Sequence, residues 1–233
     1  MEVDVKNFLN IFLSPVEAYQ SLKEKETILP TLLMLIIVLA GASLILSSIA
    51  ASDNFELVSQ NPNLAGMLSE DQLDDIRNPS TFRVAIGVVM APVGTIVGYL
   101  IYALLLMIIA RVSGCDLKYR TVLACILTAA MIDPVLATIF KTPMVMAKGT
   151  SIGVSTSLSL LAPEAPITSL TYIVLEVFDL FALWALVVLT IGISVIAAVP
   201  RGKAAAIIVT TWIIKSGALI ALSVISLRLS GMS

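Results

Sequence analysis

Three long apolar stretches of this chain are interrupted by charge, and those charges are the first candidates for chemistry. Asp133 is followed directly by Pro134, Glu176 precedes Asp179 by three positions, and Lys215 sits inside an aliphatic run. An acid and an amine at matching depth in an apolar medium form an ion pair, which either fixes helix packing or relays a proton or ion. Pro134 removes one backbone donor and frees carbonyls that a cation can use. Glu176 and Asp179, three apart, share one face of a helix. With Arg83 as the neutralising partner they make a rim salt-bridge cluster, and without it a polar entrance. Two carboxylates are a weak basis for acid–base catalysis when neither a nucleophile nor a metal-ligand set accompanies them. No catalytic, cofactor-binding or metal residue is therefore expected.

The chain has no histidine, which excludes Ser-His and Cys-His nucleophilic mechanisms, H-E-x-x-H zinc sites and His-ligated haem. Its two cysteines, Cys115 and Cys125, are too few for a disulfide framework and read as small buried side chains. A net charge of −2 without a cluster of basic residues gives no reason to expect nucleic acid as a partner.

What must position the charges is a set of helices in lipid. Hydrophobic residues make up 58% of the 233, charged residues only 13%, and the mean hydropathy is +1.02, outside the range of a water-soluble domain. The apolar stretches are continuous and lack the alternation of barrel strands, so the expected fold is all-α: a polytopic bundle of five transmembrane helices. The spans read as about 28–51, 84–110, 121–140, 167–199 and 204–227. They form one membrane domain over 28–228, preceded by an amphipathic segment over 1–27. Counted from the ends of their spans at ~1.5 Å per residue, Asp133 lies about 18 Å deep and Lys215 about 17 Å deep. The two are expected to meet near mid-bilayer.

Basic residues set the orientation. With the N-terminus cytoplasmic, the inner segments hold eight (Lys6, Lys23, Lys25, Arg111, Lys118, Arg120, Arg201, Lys203) and the outer segments five (Arg77, Arg83, Lys141, Lys148, Arg228). The expectation is a multi-pass cell-membrane protein with its C-terminus outside. A cleavable signal peptide fits poorly, because Met1 to Asp4 is acidic and the first apolar run exceeds an h-region.

Val5, Phe8, Leu9, Phe12 and Leu13 recur at helical spacing, a stripe that rests in the membrane interface or docks a partner. Ser14-Pro15-Val16-Glu17 reads as a capping box that opens a second short helix. Ser69 is placed to cap another short helix through Gln72. The acidic residues of the 52–81 segment lack calcium-loop spacing and read as a solvated face. Residues 141–166, rich in Ser, Thr, Gly and Pro, read as a loop that dips back toward the membrane. Gly87, Gly94, Gly98, Gly192 and Gly217 mark close helix packing, and Gly94-Thr95-Ile96-Val97-Gly98 is a G-x-x-x-G pattern that serves either the chain itself or a homodimer seam.

Together these residues resemble the Yip domain family, the Ypt- and Rab-interacting membrane proteins and their prokaryotic relatives. The resemblance runs through Phe12 to Leu22 with Pro15, Arg111-Val112-Ser113-Gly114 and Asp133-Pro134. It continues through Asp179-Leu180-Phe181-Ala182-Leu183-Trp184, then Ile191-Gly192 and Lys203-Ala204. It implies five helices and a cytoplasmic N-terminus. Eukaryotic members are associated with vesicle trafficking and small GTPases through an Asp-Leu-Tyr-Gly-Pro motif. Asp116-Leu117 and Asp179-Leu180 are not followed by Tyr-Gly-Pro here, so the resemblance implies a prokaryotic-type member. The functional expectation is a non-catalytic scaffold or adaptor, with membrane lipids and a protein partner or second copy of the chain as its partners. A transporter of ions, small solutes or lipids that uses the intramembrane charges is the alternative.

Overall fold

A computed structural model describes residues 10–24 and 28–229, and it is 81% helical with no strand among the described residues. A helical turn at 10–13 leads into α1 (Pro15–Glu24), α2 (Leu29–Ile45) and α3 (Ser47–Ser59), with α2 and α3 bent by 64°. Two short helices follow, α4 (Pro62–Met67) and α5 (Glu70–Arg77), and then the long α6 (Thr81–Val112). Next come α7 (Tyr119–Ala129), a π-helical segment (Met131–Leu136) and α8 (Ala137–Lys148). A 3-10 turn (Leu158–Leu161) precedes α9 (Leu170–Glu176), α10 (Leu180–Ala197) and α11 (Arg201–Leu229).

Four of these stretches are long and apolar enough to cross a membrane: α6, the run Tyr119–Lys148, α10 and α11. The bent pair α2–α3 makes up to five. Tyr119–Lys148 is the enclosed one, with 67% of its apolar window buried against 22%, 28% and 22% for the others. Outward-facing Ile86, Val89, Met90 and Ile101 on α6 follow from the solvent, because lipid tails impose no penalty on exposed aliphatic groups.

The chain divides into two compact units. One comprises Met1–Ile37, Val93–Ala137 and Phe181–Ser216, and its centre is the buried face of α7 (Val122, Cys125, Ile126) with Tyr19, Leu106 and Ile193. The other comprises Val38–Pro92, Thr138–Leu180 and Gly217–Ser233 and holds the loop-rich segments.

Local chemistry explains several element ends. Ser69 and Gln72 form the expected capping box: the Gln72 amide donates to the Ser69 hydroxyl at 3.3 Å and the Ser69 amide to the Gln72 side chain at 2.9 Å. The box expected at Ser14 and Glu17 does not form. The Ser14 amide donates to the Asn10 carbonyl at 2.8 Å, and the Glu17 carboxylate accepts from the Asn10 side chain at 3.4 Å, so the preceding turn has taken both groups. α10 ends with Ala198 at φ 51, and the Val199 amide reaches back to the Ser194 carbonyl at 3.1 Å. That is a Schellman-type closure with alanine where glycine is favoured, followed by Pro200.

Two apolar runs differ from the sequence reading. The stretch 28–51 is bent after Ile45. The stretch 167–199 is two helices, α9 and α10, with residues 177–179 between them. The cause of this second break is a backbone bridge: the Leu158 amide donates to the Phe178 carbonyl at 3.2 Å and the Leu180 amide to the Thr156 carbonyl at 3.1 Å. Irregular backbone persists in an apolar setting only when such partners satisfy it.

Candidate functional site

The break at 177–179 places the two carboxylates differently from the sequence expectation. Glu176 is the last residue of α9 and Asp179 precedes α10, so they do not lie on one face of a continuous helix. Glu176 accepts hydrogen bonds from three serine hydroxyls: Ser155 at 3.0 Å, Ser157 at 2.7 Å and Ser159 at 2.7 Å. The 3-10 turn that opens at Leu158 carries Ser159, and the Ser157 hydroxyl caps it by accepting the Ser159 amide at 3.1 Å, which brings these hydroxyls to one carboxylate. Asp179 accepts from the Lys141 ammonium at 2.9 Å and the Thr156 hydroxyl at 2.6 Å.

Arg83 is not the neutralising partner of either carboxylate. Its guanidinium pairs with Asp75 of α5, eight residues earlier, because α5 ends close to the start of α6. The two ion pairs differ in worth. The Lys141 and Asp179 side chains are 30% and 12% exposed, whereas those of Arg83 and Asp75 are 50% and 45% exposed and belong to the surface class worth about 0–1 kcal/mol.

A third carboxylate, Asp53 of α3, was read from sequence as part of a solvated acidic face. It is buried, and it accepts from the Thr150 hydroxyl at 2.6 Å, the Ser151 amide at 2.7 Å and the Ser151 hydroxyl. Within this unit, Asp53, Glu176 and Asp179 thus all bind hydroxyls of the 150–159 segment, which is tied down by carboxylates of α3, of the end of α9 and of the break before α10. The tandem Ser and Thr pattern of that segment was the available signal. Among the described residues no group of His, Cys, Asp and Glu is arranged to hold a metal ion.

In the other unit Asp133 and Lys215 are near enough for their charges to interact. Asp133 is the non-helical residue of the π-helical segment, with φ −130 and ψ 115, and its bond to Pro134 is cis. The Asp133 carbonyl, at this break, accepts the Tyr99 hydroxyl at 2.8 Å. The Lys215 ammonium lies 5.0 Å from the centre of the Tyr102 ring, a cation–π distance. Sequence depth brought the charges together, but nothing in the linear pattern pointed to the two tyrosines, one helical turn apart on α6.

The N-terminal segment is built into this same unit. Ile11 is buried, the Phe12 ring meets Trp184 edge-on at 5.8 Å, and Leu13 is 78% exposed. Val5, Phe8 and Leu9 of the expected stripe lie outside the described residues. Tyr19 of α1 is fully buried, and its hydroxyl donates to the Cys125 carbonyl at 3.2 Å. Its ring fills the space over Gly192, where a Cβ would come within 2.4 Å of the ring carbon Cζ. Gly192 is therefore a close-packing glycine, as its type suggested, with a partner from outside the apolar spans. No heavy atom of the described residues lies within 4 Å of where a Cβ would stand on Gly87, Gly94, Gly98 or Gly217, so among the described residues they do not serve close packing.

Long apolar helices, a carboxylate-bound loop and charges inside apolar segments mark a polytopic α-helical membrane protein. Within that class the chain belongs to the Yip1 domain family: the family model matches residues 9–223, nearly its whole length. No match is found among curated proteins or among solved structures.

Proposed function

We propose that this protein is a non-catalytic membrane scaffold or adaptor that organises partner proteins or lipids. The observation that carries this reading is that its buried and half-buried carboxylates are held by their own chain. Glu176 is bound by three serines, Asp179 by Lys141 and Thr156, and Asp53 by Thr150 and Ser151. Carboxylates engaged this way fasten a loop to helix ends and leave few free ligands for a solute. In this reading 28–228 is one five-span membrane domain after an amphipathic 1–27, the N-terminus is cytoplasmic, the C-terminus is outside, and a second copy of the chain is one partner considered.

A second reading, a transporter of ions, small solutes or lipids, is favoured by Asp133 at a helix break beside Lys215, and by the buried Tyr102 hydroxyl, which has no hydrogen-bond partner. Reconstitution in liposomes separates the two. Wild type, Asp133→Asn and Lys215→Met should all show background ion flux and background lipid flip. Flux in wild type that both variants abolish would establish transport and remove the scaffold reading.

A further inference from the structure

A groove of about 320 Å³ opens between the C-terminal end of α6 and the N-terminal end of α11. Ile109, Val112 and Ser113 line it from α6 and its following turn, and Lys203, Ala206, Ile207 and Thr210 from α11. On each side the spacing is i, i+3, i+4, with Thr210 at i+7, so each helix gives one continuous stripe. The helices run in opposite senses here, which orders the groove by depth. Ser113 and Lys203 stand at the mouth beside the connecting turns, while Ile109 lies about 6 Å and Thr210 about 10 Å further in.

We propose that this groove binds one anionic phospholipid, with its phosphate at Lys203 and Ser113 and the start of an acyl chain along Ile109, Val112, Ala206 and Ile207. Charge complementarity selects the occupant. Among the described residues the lining has one cation and two hydroxyls and no carboxylate. Around the mouth, segments 111–120 and 198–203 carry Arg111, Lys118, Arg120, Arg201 and Lys203 against the single acid Asp116. Asp116 already faces Arg111 at 3.8 Å, and the Lys203 ammonium reaches over the Gly114 turn at 3.8 Å from where a Cβ would stand. Basic pockets between spans at a membrane surface are suited to anionic headgroups, and the α11 N-terminus adds partial positive charge at the mouth.

The proposal rests on the scaffold reading in that lipid is one of the partners organised. Lipid retention and ion flux are separate measurements, so either fails without the other. The full-length protein in detergent is titrated with dioctanoyl phosphatidylglycerol, dioctanoyl phosphatidylcholine or inorganic phosphate, and native mass spectrometry reads the adducts. Wild type should retain phosphatidylglycerol about fivefold more tightly than phosphatidylcholine, and Lys203→Gln should abolish that preference. Ala206→Trp, which fills the groove, should weaken both lipids. Arg83→Gln, remote in the chain, should behave as wild type, and phosphate alone should give no adduct. Equal retention of the two lipids by wild type, an unchanged preference in Lys203→Gln, or loss of the preference in Arg83→Gln would overturn the proposal. So would retention of inorganic phosphate as tight as that of the lipid.

Discussion

At the scale of single residues the tightest constraint is Gly192 beneath Tyr19. A methyl group there would overlap a ring that is fully buried and anchored through its hydroxyl, so neither side has room to yield. Gly192→Ala should lower stability by about 1–3 kcal/mol, the usual cost of overpacking, seen as an earlier thermal transition in detergent. Gly94→Ala, with open space around it, should be neutral or slightly stabilising in the same assay. A fall comparable to that of Gly192→Ala would show that the Gly94 face is packed against another molecule. The glycines were legible as a type and not by partner, since Tyr19 lies in a segment of mixed polarity that hydropathy assigns to the surface. Asp133 and Lys215 were legible for a different reason: a charge in a long apolar run is rare enough to locate, and a fixed rise per residue gives its depth.

Elements follow backbone hydrogen bonds as well as side chains, and here sequence reading meets its limit. The run 167–199 is apolar enough to read as one helix, yet the amides of Leu158 and Leu180 bridge it at 178–180 to a segment about twenty residues earlier. Hydropathy counts side chains and carries no record of that bridge. By sequence Lys141 reads as the start of a loop, yet it continues α8 and holds Asp179. Lys141→Met should destabilise the protein by about 1–3 kcal/mol, because it removes the ammonium paired with a mostly buried carboxylate. Arg83→Met should cost less than about 1 kcal/mol, as it removes an exposed pair. Chemical or thermal unfolding of both variants in one detergent checks the order. Equal losses would mean that burial does not separate the two pairs.

For the whole molecule, the all-α membrane class is legible in composition together with the continuity of the apolar runs, while the division into two compact units is not, because each unit gathers three separate stretches of chain. Orientation is the property to test at this scale. With Cys115 and Cys125 replaced by serine, Asp116→Cys in the exposed turn after α6 should resist a membrane-impermeant maleimide added to intact cells and react after lysis. Glu70→Cys, in the segment before α6, should react in intact cells. The opposite pattern would reverse the assignment of both termini. The enclosure of α7 carries a further consequence for how such a protein drifts over evolutionary time. Helices bathed in lipid, such as α6 and α11, tolerate exchange of one aliphatic residue for another, so their sequences wander while their composition stays fixed. α7 is surrounded by protein on nearly every side, and there a change of one methyl group must be answered by a neighbour. Among distant relatives, α7 should therefore change slowly and in concert with the side chains that enclose it.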